Sequence, residues 1–148
     1  MEESDMINIV VPVGEGRDTA WLVEQAVGLH RRMQARVHLL NVQPPLPRHV
    51  ARFISGGQLH AFHEENGMRV LAPVARCLDA AGVPHKLHVM VGLQAETIVR
   101  FAKEYACRHI VMEESTESWM SALGLGSISS QVRHLTRTHQ LGVSLGGA

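Results

Sequence analysis

The chain has 148 residues, and its 14 Lys and Arg residues balance 14 Asp and Glu residues, so the formal net charge is zero. This length corresponds to one domain, 1–148, and is sufficient for a hydrophobic core without disulfides. The neutral balance excludes the basic excess that nucleic-acid binding uses, and it permits self-association. The two cysteines form no CxxC pair, which excludes a disulfide scaffold and indicates reduced thiols.

The amino terminus and the hydropathy pattern indicate where the protein works. Residues 1–5 (MEESD) are acidic and do not have the basic-then-apolar order of a signal peptide. The sequence contains no run of about 18 apolar residues, the length that a membrane-spanning helix requires. We therefore expect a cytoplasmic protein without membrane or nucleic-acid partners.

The first half of the chain alternates between predicted strands and helices. Residues 6–13 (MINIVVPV) form an apolar, β-branched run typical of a strand that is covered on both faces. Gly14 interrupts this run, and Asp18 or Thr19 can cap the helix that follows. That helix has one apolar face, formed by Leu22, Ala26, Leu29 and Met33. Residues 37–42 predict a second strand.

A proline-rich segment separates this strand from a second long helix. Residues 43–57 predict a loop or a short irregular helix, in which Ser55-Gly56-Gly57 is interpreted as a flexible turn. The helix that follows is stopped by Gly82 and Pro84. Its apolar positions are Met68, Leu71, Ala75 and Leu78.

The second half of the chain continues the alternation. Residues 85–91 alternate between apolar and polar side chains, which predicts an edge strand with one wetter face. A helix over 95–105 has Ile98, Phe101, Ala102 and Tyr105 on one face. The remaining elements are a strand at 110–112, a Ser- and Glu-rich loop at 113–125, a helix that opens at Gly126-Ser127, and a strand at 141–145.

Strands that alternate with helices predict an α/β fold: a single doubly wound domain with a five-stranded parallel sheet and about four helices. Ligands bind such sheets outside the carboxyl ends of the strands. The segments at these ends are 12–18, 42–47 and 113–127.

Four motifs resemble the universal stress protein family over nearly the whole chain. They are Ile9-Val10-Val11-Pro12-Val13, Val91-Gly92-x-x-Ala95-x-x-Ile98 with Ala102 beyond it, Ile110-Val111-Met112, and Gly126-Ser127. The resemblance implies the Rossmann-like fold of the adenine nucleotide alpha hydrolases and a role in the stress response.

The phosphate motif departs from the form that the ATP-binding members of this family carry, an Asp after the first strand and G-x2-G-x9-G-[ST] after the fourth. Gly14 stands at the Asp position, and Glu113 and Thr116 stand at the first two glycines, whereas Gly126-Ser127 matches the end of the motif. A β-branched Thr116 is poorly suited to a positive φ. The Glu113 carboxylate would repel a phosphate about 4 Å away by about 4 kcal/mol at an effective dielectric constant of about 20.

These departures predict that the protein does not bind ATP in the usual mode and needs no cofactor. The alternative is a sensor of ATP or AMP with a rebuilt phosphate loop, in which a cation bound by Glu113 bridges to phosphate. Gly126-Ser127 either forms an anion site or only makes the turn and caps the helix. The candidate cleft comprises Pro12, Val13, Gly14, Val42, Met112, Glu113, Thr116, Gly126, Ser127 and Ile128.

Other polar groups are interpreted as surface features. His60-x-x-His63-Glu64 predicts solvated histidines, with an adventitious metal site as the alternative, so no metal is predicted. The other eight histidines form no cluster in the sequence; pH sensing is the alternative role for a histidine-rich surface, and no motif locates it. Trp21 is predicted in the core, and Trp119 either covers the cleft or contacts a partner.

No nucleophile, base and orienting group occur together in a local motif, so we expect a non-catalytic regulatory protein that acts through an unidentified protein partner. Weak nucleotide hydrolysis is the enzymatic alternative. Members of the resembled family commonly dimerise by antiparallel pairing of their last strands. The matching edge is Val143-Ser144-Leu145, which predicts a homodimer.

Overall fold

The computed structural model describes residues 6–16, 18–113, 128–139 and 142–146, and this part of the chain contains five strands and five helices. The strands are β1 (Ile7–Pro12), β2 (Ala35–Gln43), β3 (His85–Val91), β4 (Cys107–Glu113) and β5 (Gly142–Gly146). The helices are α1 (Thr19–Met33), α2 (Arg48–Ala51), α3 (Gly56–Ala80), α4 (Gln94–Glu104) and α5 (Ile128–His139).

The strands form one sheet in the order β3-β2-β1-β4-β5, and every neighbouring pair is parallel. This order confirms the predicted five-stranded, doubly wound architecture, with β1 at the centre and β3 at an edge. The chain continues from β1 to β2 on one side, and β4 returns to the other side of β1, which places the switch point at the carboxyl end of β1. The helix beyond the predicted four is α2, which is only four residues long.

The helices cover both faces of the sheet. α1 and α3 pack on one face, called here the α1/α3 face, and α4 and α5 pack on the other, the α4/α5 face. β1 shows the alternation: Ile9 and Val11 belong to the core of the α1/α3 face, whereas Val10 belongs to the core of the α4/α5 face. Trp21 packs against the α1/α3 core, as predicted, and Met33 at the end of α1 is largely outside it.

Side-chain caps fix where two helices begin. The Asp18 carboxylate accepts a 3.0 Å hydrogen bond from the Trp21 backbone N–H at the start of α1. The predicted flexible turn at Ser55-Gly56-Gly57 is wrong, because Ser55 and Gln58 form a reciprocal capping box and the two glycines are the first residues of α3.

α3 lies very close to the edge strand β3. A Cβ atom added to Gly67 would stand 2.5 Å from both methyl groups of Val89. Only a glycine allows this approach, which brings the 25-residue α3 down onto β2 and β3. None of the helices described, α3 included, is long and apolar enough to cross a membrane.

Candidate functional site

The candidate cleft lies at the carboxyl ends of β1, β2 and β4, which are neighbours because β1 is central. Pro12 is the last residue of β1, Val42 is the last but one of β2, and Met112 and Glu113 end β4. Ile128 is the first residue of α5. The other predicted members, Thr116, Gly126 and Ser127, lie outside the described residues, as does Trp119.

Hydrogen bonds close the junction between β1 and β2. The backbone N–H of Val13 donates to the Leu40 carbonyl at 2.9 Å, and the Val13 carbonyl accepts from the Asn41 side-chain amide at 2.8 Å. The Gln43 amide in turn donates to the Asn41 side-chain oxygen at 2.6 Å. Both backbone polar groups of Val13 are thus satisfied within the protein.

Asn41 was not among the predicted site residues, although it is buried and fixes the turn after β1. The signal in the sequence was a polar side chain inside the apolar run of residues 37–42. A buried amide needs hydrogen-bond partners, and Asn41 finds them at the two strand ends.

The segment after Val13 offers little to a ligand. Gly14 has no side chain, and Glu15 is exposed, with its carboxylate 3.9 Å from the Arg69 guanidinium. Asp18 is already engaged as the cap of α1. The acidic groups near the end of β1 are therefore either at the surface or used for local structure.

Two predicted cleft residues belong to the hydrophobic core. Met112 is buried in the core of the α4/α5 face, and Val42 is partly buried against the same core. Their side chains therefore serve the packing of the core next to the strand ends.

His63 is buried, so the prediction that it is a solvated histidine was wrong. Its side chain is 4% exposed, and neither ring nitrogen has a hydrogen-bond partner. It shares the inward side of α3 with Gly67 and Leu71, whereas His60 and Glu64 are exposed. Across the described ranges, no three His, Cys, Asp or Glu side chains are placed to hold a metal ion.

A second polar cluster lies on the α4/α5 face, beneath α4. His38 of β2 is 3.0 Å from His88 of β3 (Nδ1 to Nε2) and 3.0 Å from Asn8 of β1 (Nε2 to Oδ1). The Asn8 amide donates to the backbone carbonyl of Tyr105 at 3.0 Å. We call Asn8, His38 and His88, with the Tyr105 carbonyl, the histidine chain.

Burial is the largest influence on the two imidazoles. It lowers the pKa of His38 from 6.5 to about 4, with smaller contributions from His88, Lys86 and Arg36. The pKa of His88 is also lowered, first by burial and then by Lys86. Both rings are therefore kept neutral at physiological pH.

The cysteines are free thiols in different surroundings. Cys77 is exposed, and Cys107 is buried at the start of β4. Burial raises the pKa of the Cys107 thiol to about 12, which keeps it protonated and a poor nucleophile.

The predicted dimer edge lies at the border of the sheet. Val143, Ser144 and Leu145 belong to β5, which pairs with β4 on one side. Within the described chain, the other side of β5 carries no strand, so its position at an edge agrees with the prediction.

Comparison with known proteins gives a consistent result. The profile of the universal stress protein family matches residues 6–138. No curated protein sequence matches the chain.

Solved structures of the same fold cover almost all of the chain. A universal stress protein in complex with cAMP is 16% identical, with a TM-score of 0.68, and the similarity covers 97% of this chain and 98% of that one. The universal stress protein from Archaeoglobus fulgidus in complex with dAMP is 18% identical, with a TM-score of 0.68 and coverages of 95% and 98%. A family protein from Burkholderia pseudomallei is 22% identical, with a TM-score of 0.66 and coverages of 99% and 100%. The family profile spans nearly the whole domain and the fold agrees with it, so the chain belongs to the universal stress protein family.

Proposed function

We propose that this protein is a non-catalytic, cytoplasmic stress-response module that acts through protein contacts and does not bind ATP in the usual mode of its family. The turn after β1 carries the proposal. Gly14 presents no carboxylate there, and both backbone polar groups of Val13 are taken by β2. The turn therefore has few groups left with which to hold a ribose.

The end of β4 supports the same proposal. Glu113 is the last residue of this strand and begins the segment in which the resembled motif has its first glycine. A carboxylate about 4 Å from a phosphate oxygen opposes binding by about 4 kcal/mol at an effective dielectric constant of about 20. That repulsion corresponds to about a thousandfold loss of affinity.

The non-catalytic part of the proposal is supported by the chemistry of the described side chains. The buried Cys107 thiol is protonated, and the histidines with lowered pKa values bind each other and Asn8. Such groups stabilise structure. A test is the search for ATP hydrolysis above a blank without protein, with and without Mg²⁺; turnover above that blank would contradict the proposal.

Calorimetric titration tests the nucleotide part. ATP, AMP and cAMP are titrated into protein that has first been checked for co-purified nucleotide. The native chain should give no heat of binding up to millimolar ligand. The matched variant Gly14→Asp/Glu113→Gly/Thr116→Gly, which restores the resembled motif, should bind ATP measurably. Micromolar binding of ATP by the native chain would contradict the proposal.

The second candidate is an adenine-nucleotide sensor with a rebuilt phosphate loop. It is favoured by the solved relatives of the same fold that hold cAMP and dAMP. Under this proposal the native chain binds AMP or cAMP, and a Gly126→Glu substitution, which puts a carboxylate at the end of the motif, abolishes that binding. Unchanged affinity in this variant would reject the second candidate.

Self-association is a separate proposal. We infer that two copies pair antiparallel through β5, whose outer side is free of other strands in the described chain. Sedimentation velocity should then show a dimer at micromolar concentration, with the amides of residues 142–146 better protected from exchange as the concentration rises. A monomer throughout this range would refute the dimer.

A further inference from the structure

The histidine chain has only one arrangement of hydrogens. The Asn8 amide nitrogen donates to the Tyr105 carbonyl, so its side-chain oxygen is the atom that faces His38 and must accept. His38 therefore carries its proton on Nε2, and its Nδ1 is an acceptor. His88 must then donate from Nε2 to His38 Nδ1.

Aromatic rings enclose this chain. The ring of His38 is 5.7 Å from Phe101 and 5.2 Å from Tyr105, measured between centroids, and that of His88 is 4.7 Å and 5.2 Å from the same two rings. Phe101 and Tyr105 stack on each other at 4.3 Å. The side chain of His38 is 2% exposed, so water cannot replace a lost partner without movement of these groups.

The groups around the histidine chain disfavour a positive charge on His38. Lys86 of β3 and Arg36 of β2 both act on His38 electrostatically, together with His88. Asn8 of β1 is uncharged, and the neighbouring Cys107 of β4 has a neutral thiol. On the side of α4, the histidine chain contacts the ring of Phe101, and just beyond that helix it contacts the ring and the backbone carbonyl of Tyr105.

Two protonation steps have different consequences for the structure. A proton added to Nδ1 of His88 leaves the Nε2–H donor to His38 intact. A proton added afterwards to Nδ1 of His38 places two N–H groups against each other, because the doubly protonated His88 ring has no acceptor nitrogen left at that position. The second step must therefore separate the two rings.

We propose that the histidine chain is an acid-sensitive latch: once His88 is protonated, protonation of His38 at Nδ1 breaks the hydrogen bond between the two rings and loosens the edge strand β3 from β2. The bond between His38 and His88 is a side-chain link between β2 and β3, beside the backbone ladder that pairs them. β3 has β2 as its strand neighbour, whereas the bonds of Asn8 to His38 and to the Tyr105 carbonyl do not involve the nitrogen that titrates. The stimulus is a proton, and the latch is separate from the nucleotide cleft.

Nuclear magnetic resonance of the ¹⁵N-labelled histidine rings in the intact protein tests the arrangement directly. At pH 7 His38 should be the Nε2–H tautomer, and it should titrate well below pH 6. Amide exchange, expressed as protection relative to the unfolded chain, should then fall for β3 more than for β1 as His38 titrates. An Nδ1–H tautomer, a titration near pH 6.5, or protection that stays constant through the titration would overturn the latch.

Three variants separate the latch from general acid sensitivity. His38→Leu removes the titrating ring. Between pH 7 and pH 4, the unfolding equilibrium constant of the parent should therefore increase by a factor about 100 times larger than that of the variant. His88→Gln keeps an N–H donor for His38 and should leave the tautomer of His38 unchanged. His60→Gln, at an exposed position of α3, is the matched control and should behave as the parent. An equal pH response in His38→Leu and in the parent would contradict the proposal, and the ring titration of the native protein decides the question if His38→Leu fails to fold.

Discussion

The two faces of the sheet are built differently, although the same strands supply both. On the α1/α3 face, Leu39 lies in a core of aliphatic side chains, and the buried polar groups Asn41 and His63 lie on β2 and α3 beyond it. On the α4/α5 face, the preceding residue His38 is equally buried but belongs to a hydrogen-bonded chain. Aliphatic burial stabilises at any pH, whereas a buried imidazole stabilises only while it is neutral.

The largest effect is expected for Leu39→Ala on the aliphatic side. Leu39 is fully buried, so its loss leaves a cavity and should lower the free energy of unfolding by about 4 kcal/mol. Urea denaturation at pH 7 measures this change. The variant should keep the pH dependence of the parent, because the histidine chain is on the other face. A loss below about 1 kcal/mol would contradict the assignment of Leu39 to a tightly packed aliphatic core.

The next effect is the acid response of the other face. The pKa of His38 is 6.5 in the unfolded chain and about 4 in the folded protein. Above pH 6.5 the imidazole is therefore neutral in both states, and its full contribution to stability is present. As the pH falls from 6.5 towards 4, the unfolded chain binds a proton that the folded protein does not, and about 3 kcal/mol of stability is lost. Urea titrations of the parent and of His38→Leu, compared at several pH values, isolate this loss from that of the carboxylates. Parallel curves for the two proteins would break the comparison.

A medium effect is expected where α3 meets β3. Gly67→Ala places a methyl group 2.5 Å from the Val89 methyls, so α3 must shift and stability should fall by about 2 kcal/mol. Gly57→Ala is the matched control in the same helix, because a Cβ there has nothing within 4 Å. The control should be neutral or slightly stabilising in thermal denaturation. Equal losses in the two variants would mean that the close approach of α3 does not matter.

The smallest effects concern the caps, which also differ between the faces. Ser55 caps α3, whereas Leu93 precedes α4 without a side-chain hydrogen bond to it. Ser55→Ala should cost about 1 kcal/mol, and Leu93→Ser should gain up to about 1 kcal/mol, both measured by urea denaturation. Opposite signs in these two variants are the result expected; the same sign in both would contradict this assignment of the caps.

Much of the fold could be predicted because each strand and helix carried its own local signal. Residues 6–13 indicated a central strand by their apolar run, and Asp18 indicated a helix start. Ser55 was misread because Gly56-Gly57 suggested a turn, whereas the Ser-x-x-Gln spacing of a capping box favoured a helix start. The burial of His63 was missed because the predicted apolar face began at Met68, which the structure leaves exposed, whereas the buried side of α3 already begins at His63.

The sites were less predictable because they depend on register between distant strands. His38 and His88 are fifty residues apart and meet because β2 and β3 are aligned so that His38 pairs with Lys86. The alternation of side chains within either strand does not show how the two strands are aligned with each other. The positions of Pro12 and Met112 at the strand ends, in contrast, could be predicted from topology alone, because parallel strands end at one border of the sheet; their role in a site stays a prediction. The segment of Thr116, Gly126 and Ser127 lies outside the described residues, so its predicted role stays a prediction.

The central position of β1 has a consequence for the order in which the domain is assembled. The buried residues of the α1/α3 core all precede Pro84 except Val111, with Leu87 and Val89 of β3 packed against them, whereas the core of the α4/α5 face needs α4, β4 and Val132. During synthesis from the amino terminus, the α1/α3 layer can therefore form before β4, the second strand neighbour of β1, has been made. Refolding kinetics should show this order: Leu78→Ala should mainly slow folding, and Val132→Ala should mainly accelerate unfolding. The reverse pattern would mean that the layer completed last during synthesis is the one that nucleates the fold.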